Sequence, residues 1–167
     1  VYRLLRTLQA AGYVEQLEDG RFTPALTVLT LGFAALQSQD VVEAAREPLR
    51  KLALDTGETT NLGVRMGHRV LYLVRHKTEH LMIANIVPGS TLPLARTSMG
   101  KLLLALSEKD EDLTALLPSR NEGETTGPNA ITTEAALRDE LDRIRSRGWS
   151  IQDEELAPNL RSVAVAV

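Results

Sequence analysis

The feature that most constrains this chain is a change of period at Gly57. Up to Thr56 the apolar residues recur at helical spacing. Beyond it, "TTNLGVRM" (59–66), "RVLYLVRH" (69–76) and "HLMIANIV" (80–87) are β-rich runs, joined at Gly67-His68 and at Lys77-Thr78-Glu79. Three strands in meander order predict an antiparallel sheet.

Before that sheet, "VYRLLRTLQAAG" places Val1, Leu4, Leu5 and Leu8 on one helical face, and Gly12 ends the helix. Tyr13, Val14 and Leu17 give a short strand, Glu18-Asp19-Gly20 a tight turn, and Arg21-Phe22 a return strand. A helix followed by a small hairpin is the second half of a winged helix-turn-helix. The helices that would precede it are missing, and the last strand is still apolar at Val167, so both ends read as cut. Residues 25–38 predict a nearly all-apolar helix with Leu26, Leu29, Phe33 and Leu36 as its stripe, suited to a linker that packs on a partner. Asp40 with Glu43 is a capping-box opening for a helix that reaches Gly57, and Pro48 inside it predicts a kink or a second start.

After the sheet, "PGST" and "LPL" read as loop, followed by a helix starting near Thr97. Ser107 caps a short helix, "EKDEDLTALL", ending at Pro118, and 119–130 is a polar surface loop. Thr132 or Thr133 caps "EAALRDELDRIRSR", Gly148 stops it, and "WSIQ" and "RSVAVAV" are further strands.

Composition narrows the function classes. With no cysteine, disulfides and thiolate chemistry are excluded, and an intracellular, cytoplasmic location is the default. No run is long and apolar enough for a membrane span. A net charge of −3 speaks against a chain-wide cationic surface, and 4% aromatic residues against a base-stacking platform. "HKTEH" matches H-x-x-E-H, a zinc-hydrolase pattern when helical, with His76 and His80 as ligands and Glu79 as base. Between two β-patterned runs it reads instead as a solvated turn. Ser98 lies in no nucleophile elbow, Asp153-Glu154-Glu155 reads as a solvated turn, and no glycine-rich phosphate loop is present. No catalytic residue, metal or cofactor is expected.

"RTSMGK" (96–101) is subtler. A helix starting at Thr97 or Ser98 points its first N–H groups and the positive end of its dipole outward, two hydroxyls stand there, and Gly100 allows close approach. That suits a small carboxylate. Residue chemistry alone favours a plain N-cap; Lys101 reads as a counter-charge or, more commonly at a helix start, as pointing to water. Arg3, Arg6 and Tyr2 are ordinary surface groups on a free helix, but phosphate or base contacts on a recognition helix.

"VYRLLRTLQAAGYVEQLEDGRF", "LTLGFAALQS", "VVEAAREPLRKLALDTGETTNLGV", "PGSTLPLARTSMGKLLLA" and "DEELAPNLRSVAVAV" together resemble the IclR-type transcriptional regulators, over essentially the whole chain. The resemblance implies an α+β, GAF/PAS-like effector-binding domain with an antiparallel central sheet and flanking helices, at 40–167. Ahead of it stand the remnant of a winged helix-turn-helix at 1–24 and a linker helix at 25–39. It implies a homodimer or dimer of dimers that binds operator DNA through Tyr2, Arg3, Arg6 and Arg21, with no membrane partner. A small organic or aromatic acid would bind beside the sheet, at Leu81, Leu92, Thr97, Ser98, Met99, Gly100, Gln152, Asp153 and Ser162. Relatives often carry an acid where Gln152 stands, and Met99 replaces a smaller residue. The alternatives are a metal-dependent hydrolase on His76, Glu79 and His80, and a ligand-free dimerisation module.

Overall fold

The computed structural model describes residues 1–37, 40–77, 86–108, 112–118 and 126–167. They form two compact units, Val1–Pro48 and Leu49–Val167. No helix among the described residues is long and apolar enough to cross a membrane.

In the first unit, α1 (Tyr2–Ala10) is followed by the antiparallel hairpin β1 (Val14–Gln16) and β2 (Phe22–Pro24). The turns at either end of the hairpin use glycine in the left-handed region, φ 76° at Gly12 and 83° at Gly20. Tyr2 meets Phe22 edge to face with ring centroids 6.2 Å apart, which seats the helix on the hairpin. Next comes α2 (Val28–Gln37), starting three residues after the expected start at 25 because residues 25–30 form i, i+3 turns. No residue of α2 is buried, and Leu29, Leu31 and Phe33 are all more than half exposed.

The long helix α3 (Asp40–Thr56) runs through Pro48 as one element. The expected second helix start is absent, and the division between the two units falls at Pro48, where proline removes an intrahelical hydrogen bond.

In the second unit β3 (Thr60–Met66) and β4 (Arg69–His76) pair antiparallel across a tight turn with Gly67 at φ 60°. Alternation buries Val70, Tyr72 and Val74 of β4. Among the described residues, the strand found beside β4 comes from a segment the sequence reads as loop. β5 (Thr91–Pro93) pairs with the free edge of β4, Val70 opposite Leu92, giving the order β3-β4-β5. Ser90 and Gly89 begin this pairing on Tyr72, whose backbone N–H donates to Ser90 O (3.0 Å) and whose carbonyl accepts from Gly89 N (2.8 Å). The "PGST…LPL" segment expected as loop therefore supplies the strand. Ile86 and Val87 are not in a strand, and the rest of the 80–87 run lies outside the described residues.

A 3₁₀ turn, Leu94–Arg96, leads into α4 (Ser98–Ala105). The short helix after it is a 3₁₀ turn, Leu113–Leu116, capped by Asp112 rather than Ser107. α5 (Glu134–Arg147) is capped by Thr133, whose hydroxyl accepts from Ala136 N (3.3 Å), and ends at Gly148 in the left-handed region, as expected. β6 (Trp149–Asp153) and β7 (Arg161–Val165) close the chain as an antiparallel pair.

α4 is the centre of this unit. It packs against α5 and against both β-ladders, and Ser98, Gly100, Lys101, Leu102, Leu104 and Ala105 are all buried. α5 lays Leu137, Leu141 and Ile144, one stripe at i, i+4 and i+7, into the same core. Each such side chain contributes about 1.5–3 kcal/mol.

Gly100 is what lets α4 begin where it does. A Cβ there would stand 2.1 Å from the Leu94 carbonyl oxygen and 2.5 Å from Leu94 Cα. The close approach foreseen at Gly100 is thus made by the preceding turn. Gly100→Ala is expected to destabilise the chain by about 3 kcal/mol, the upper end of overpacking costs, read as a lowered urea midpoint. An unchanged midpoint would show that α4 can part from the Leu94 turn freely.

Candidate functional site

Thr97 and not Ser98 caps α4. Its hydroxyl accepts from Gly100 N (3.1 Å) and donates to Pro93 O (3.1 Å), so it is engaged in both directions. The first α4 N–H to find an intrahelical acceptor is that of Lys101, on Thr97 O (3.0 Å). The Ser98 and Met99 N–H groups lie ahead of that bond, at the positive end of the helix.

Ser98 reaches across to the last hairpin. Its Oγ is 2.8 Å from Ser162 Oγ, and Ser162 Oγ donates to Gln152 Oε1 (3.2 Å). Gln152 and Ser162 are direct partners in the β6–β7 register, which puts both on the face that α4 covers. Ser98 and Gln152 are buried and Ser162 is exposed. Gln152 Nε2 is buried with no hydrogen-bond partner among the described residues, an arrangement that costs about 1–3 kcal/mol in a native fold. The cluster therefore offers an unmet amide donor and the start of a helix, with two hydroxyls that can turn from each other to a ligand, all of which suit an acceptor such as a carboxylate.

Other candidates fall elsewhere. Met99 turns toward β3, its Sδ and Cε lying 3.1 and 3.2 Å from where a Cβ on Gly63 would stand. Leu92 is half-buried on β5 and packs on the core. Asp153 follows Gln152 in the strand and so points to the opposite face, exposed and bonded to Arg161 Nε (2.5 Å); the structure does not bring it to the cluster. Leu81 lies outside the described residues. Of the H-x-x-E-H set, His76 ends β4, while Glu79 and His80 also lie outside them.

The nucleic-acid candidates belong to the first unit. Arg6 lies over the Tyr2 ring (5.0 Å to the centroid) and donates to Tyr2 Oη (2.5 Å) and to Gln9 Oε1 (2.9 Å). Arg3 is exposed on the same helix. Arg21 pairs with Asp19 (2.7 Å), and its backbone N–H is foremost in holding the Asp19 carboxyl below its ordinary range.

Sequence reasoning missed two groups beside the cluster. Lys101 does not point to water. It is 1% exposed and forms an ion pair with Glu155, itself 7% exposed and not part of a solvated turn. Burial pushes the Glu155 carboxyl above its ordinary range, and the hydrogen bond and charge of Lys101 only partly offset that. The signal was present in "GKLLLAL", where one cation interrupts an otherwise apolar helix and needs a partner. Nothing local pointed to which acid.

The family described as "Bacterial transcriptional regulator IclR C-terminal" matches residues 33–167. The HTH-type transcriptional regulator BhcR of Paracoccus denitrificans is 35% identical over 170 residues, covering 100% of this chain and 60% of that protein. This chain thus spans about three fifths of the length of that curated relative. The crystal structure of the Thermotoga maritima IclR superposes with a TM-score of 0.72 at 27% identity, over 98% of this chain and 66% of that one. An IclR homolog from Microbacterium hydrocarbonoxydans, complexed with 4-hydroxybenzoate, shares the fold with a TM-score of 0.74 at 21% identity, over 98% and 67% of the two chains.

The unpartnered amide yields a stability test. Gln152→Leu removes a buried group with an unmet donor, so it is expected to stabilise the chain by about 1 kcal/mol despite losing the Ser162 bond. A loss of stability in urea unfolding would show that Gln152 serves the fold.

Proposed function

The chain belongs to the IclR family of bacterial transcriptional regulators, and from that premise we propose that it is part of a ligand-responsive, DNA-binding regulator whose second unit takes a small organic or aromatic acid at the start of α4. The observation that carries this reading is the buried Gln152 amide, with a donor unmet among the described residues, beside Ser98, Ser162 and the leading N–H groups of α4. The acid's carboxylate would accept from these donors. Met99 over Gly63 and half-buried Leu92 would limit the size of its body. Asp153, on the far face with Arg161, does not stand in the cluster to repel it.

In the same reading residues 1–24 are the end of a winged helix-turn-helix, 25–39 the linker helix, and 40–167 most of the effector-binding domain. Tyr2, Arg3, Arg6 and Arg21 face operator DNA, and the exposed apolar side chains of α2 meet a second protomer in a homodimer or dimer of dimers. Effector binding would favour one arrangement of the assembly, and α2 would pass that choice to the spacing of the DNA readers. The work of such a regulator places it in the cytoplasm. The matched family and the relatives are transcriptional regulators, which favours this reading over a metallohydrolase on His76, Glu79 and His80.

Isothermal titration with 4-hydroxybenzoate and a panel of small monocarboxylic acids tests the effector site. At least one acid should bind saturably, and Ser162→Ala, a change at an exposed position, should weaken it about tenfold. If no acid binds the wild-type chain, the site is misread. For the DNA contact, Arg3→Ala in the full-length protein should lower operator affinity and reduce the slope of log affinity against log salt by about 1. An unchanged slope would remove Arg3 from the phosphate contacts.

A further inference from the structure

Lys101 lies three residues after Ser98 on α4, and Glu155 three residues after Gln152 beyond the end of β6. Their ion pair therefore joins the two elements that carry the polar cluster, one turn away from the Ser98–Ser162 contact. The turn bearing Glu155 is itself held from several sides. Gly127 N donates to Glu155 O (3.0 Å), Asn129 N to Glu154 O (3.3 Å) and Asn129 Nδ2 to Asp153 O (3.2 Å), while Glu154 N donates to Leu160 O (2.8 Å). Only glycine permits this docking, because a Cβ at Gly127 would stand 1.8 Å from Glu154 O. Arg96, in the turn before α4, donates to Thr126 Oγ1 (3.0 Å) and ties the same segment back to the helix start.

Stability alone does not account for the pair. Two charges are taken out of water, Glu155 Oε2 is left with no hydrogen-bond partner among the described residues, and apolar side chains of similar volume commonly hold such a contact as well or better. What an ion pair adds is direction. Leucine against methionine tolerates a slip along the interface, whereas an ammonium displaced from its carboxylate leaves two bare buried charges. We infer that the buried Lys101–Glu155 pair is a positioning pair: it sets the register of α4 against the β6–β7 hairpin and so holds Ser98 within hydrogen-bond reach of Ser162, which in turn bonds Gln152. Its bearing on effector affinity rests on the function proposed above; its geometric effect does not.

The decisive variant is the double replacement Lys101→Met/Glu155→Leu in the same 167-residue chain, because either single change strands a buried charge and invites unfolding. Its crystal structure, its melting temperature against both single variants, and its titration with 4-hydroxybenzoate and the other acids are the readouts. The double variant should melt above both single variants, its Ser98–Ser162 hydroxyl separation should exceed about 3.5 Å, beyond hydrogen bonding, and whichever acid the wild type binds should bind at least tenfold more weakly. A separation that stays at the wild-type value would overturn the inference. So would a double variant that melts below both single ones, since the pair would then be a stabilising contact and not a positioning one. If the wild type binds no acid, the effector reading fails, and the hydroxyl separation still decides the positioning role.

Discussion

The second unit depends on the approach of the Leu94–Arg96 turn to the first turn of α4. With no side chain at Gly100, the Leu94 backbone rests directly on the helix, and Thr97 can then bond both Gly100 N and Pro93 O. That seat fixes where α4 enters the core. Because α4 touches both β-ladders and α5, its placement sets the spacing of everything around it. A helix buried on nearly all sides has no solvated face along which to adjust, and close-packed interiors tolerate little displacement.

Against that apolar background the polar groups near α4 stand out. Ser98, Gln152, Lys101 and Glu155 are all buried. Local rules of folding are broken most often where function requires it. Here the breaches gather at one end of one helix, on the side facing β6 and β7, which makes the α4 start the place to look for a ligand. The same contacts explain why the Asp-Glu-Glu run splits three ways. Asp153 goes to the solvent face with Arg161, Glu154 takes the left-handed backbone of the turn, and Glu155 folds inward to Lys101.

Much of the architecture was legible from local chemistry. The hairpin after α1, the α5 cap at Thr133 and its stop at Gly148 follow from side-chain hydrogen bonding and from glycine's freedom at positive φ. The pairing of β3 with β4 follows from alternation and a two-residue turn. β5 was not legible, because three residues containing a proline carry no period; they become a strand by pairing with Arg69–Leu71 of β4. Likewise the sequence points to Ser107 as the cap, and the turn that packs Leu113 and Leu116 into the core is capped by Asp112 instead.

By itself, then, the sequence determined the α+β class, most helix ends, the family, and a helix start at Thr97, Ser98 and Gly100. These rest on interactions within a few residues of one another, or on motifs that stay together in the chain. Only the tertiary structure decided that Ser98 meets Ser162, which bonds Gln152, that Asp153 faces away, and that Lys101 is paired with Glu155. Those partners lie 64 and 54 positions apart for the serine and lysine contacts. Strand register and the burial of α4 bring them together, and neither is written in any short stretch of the chain.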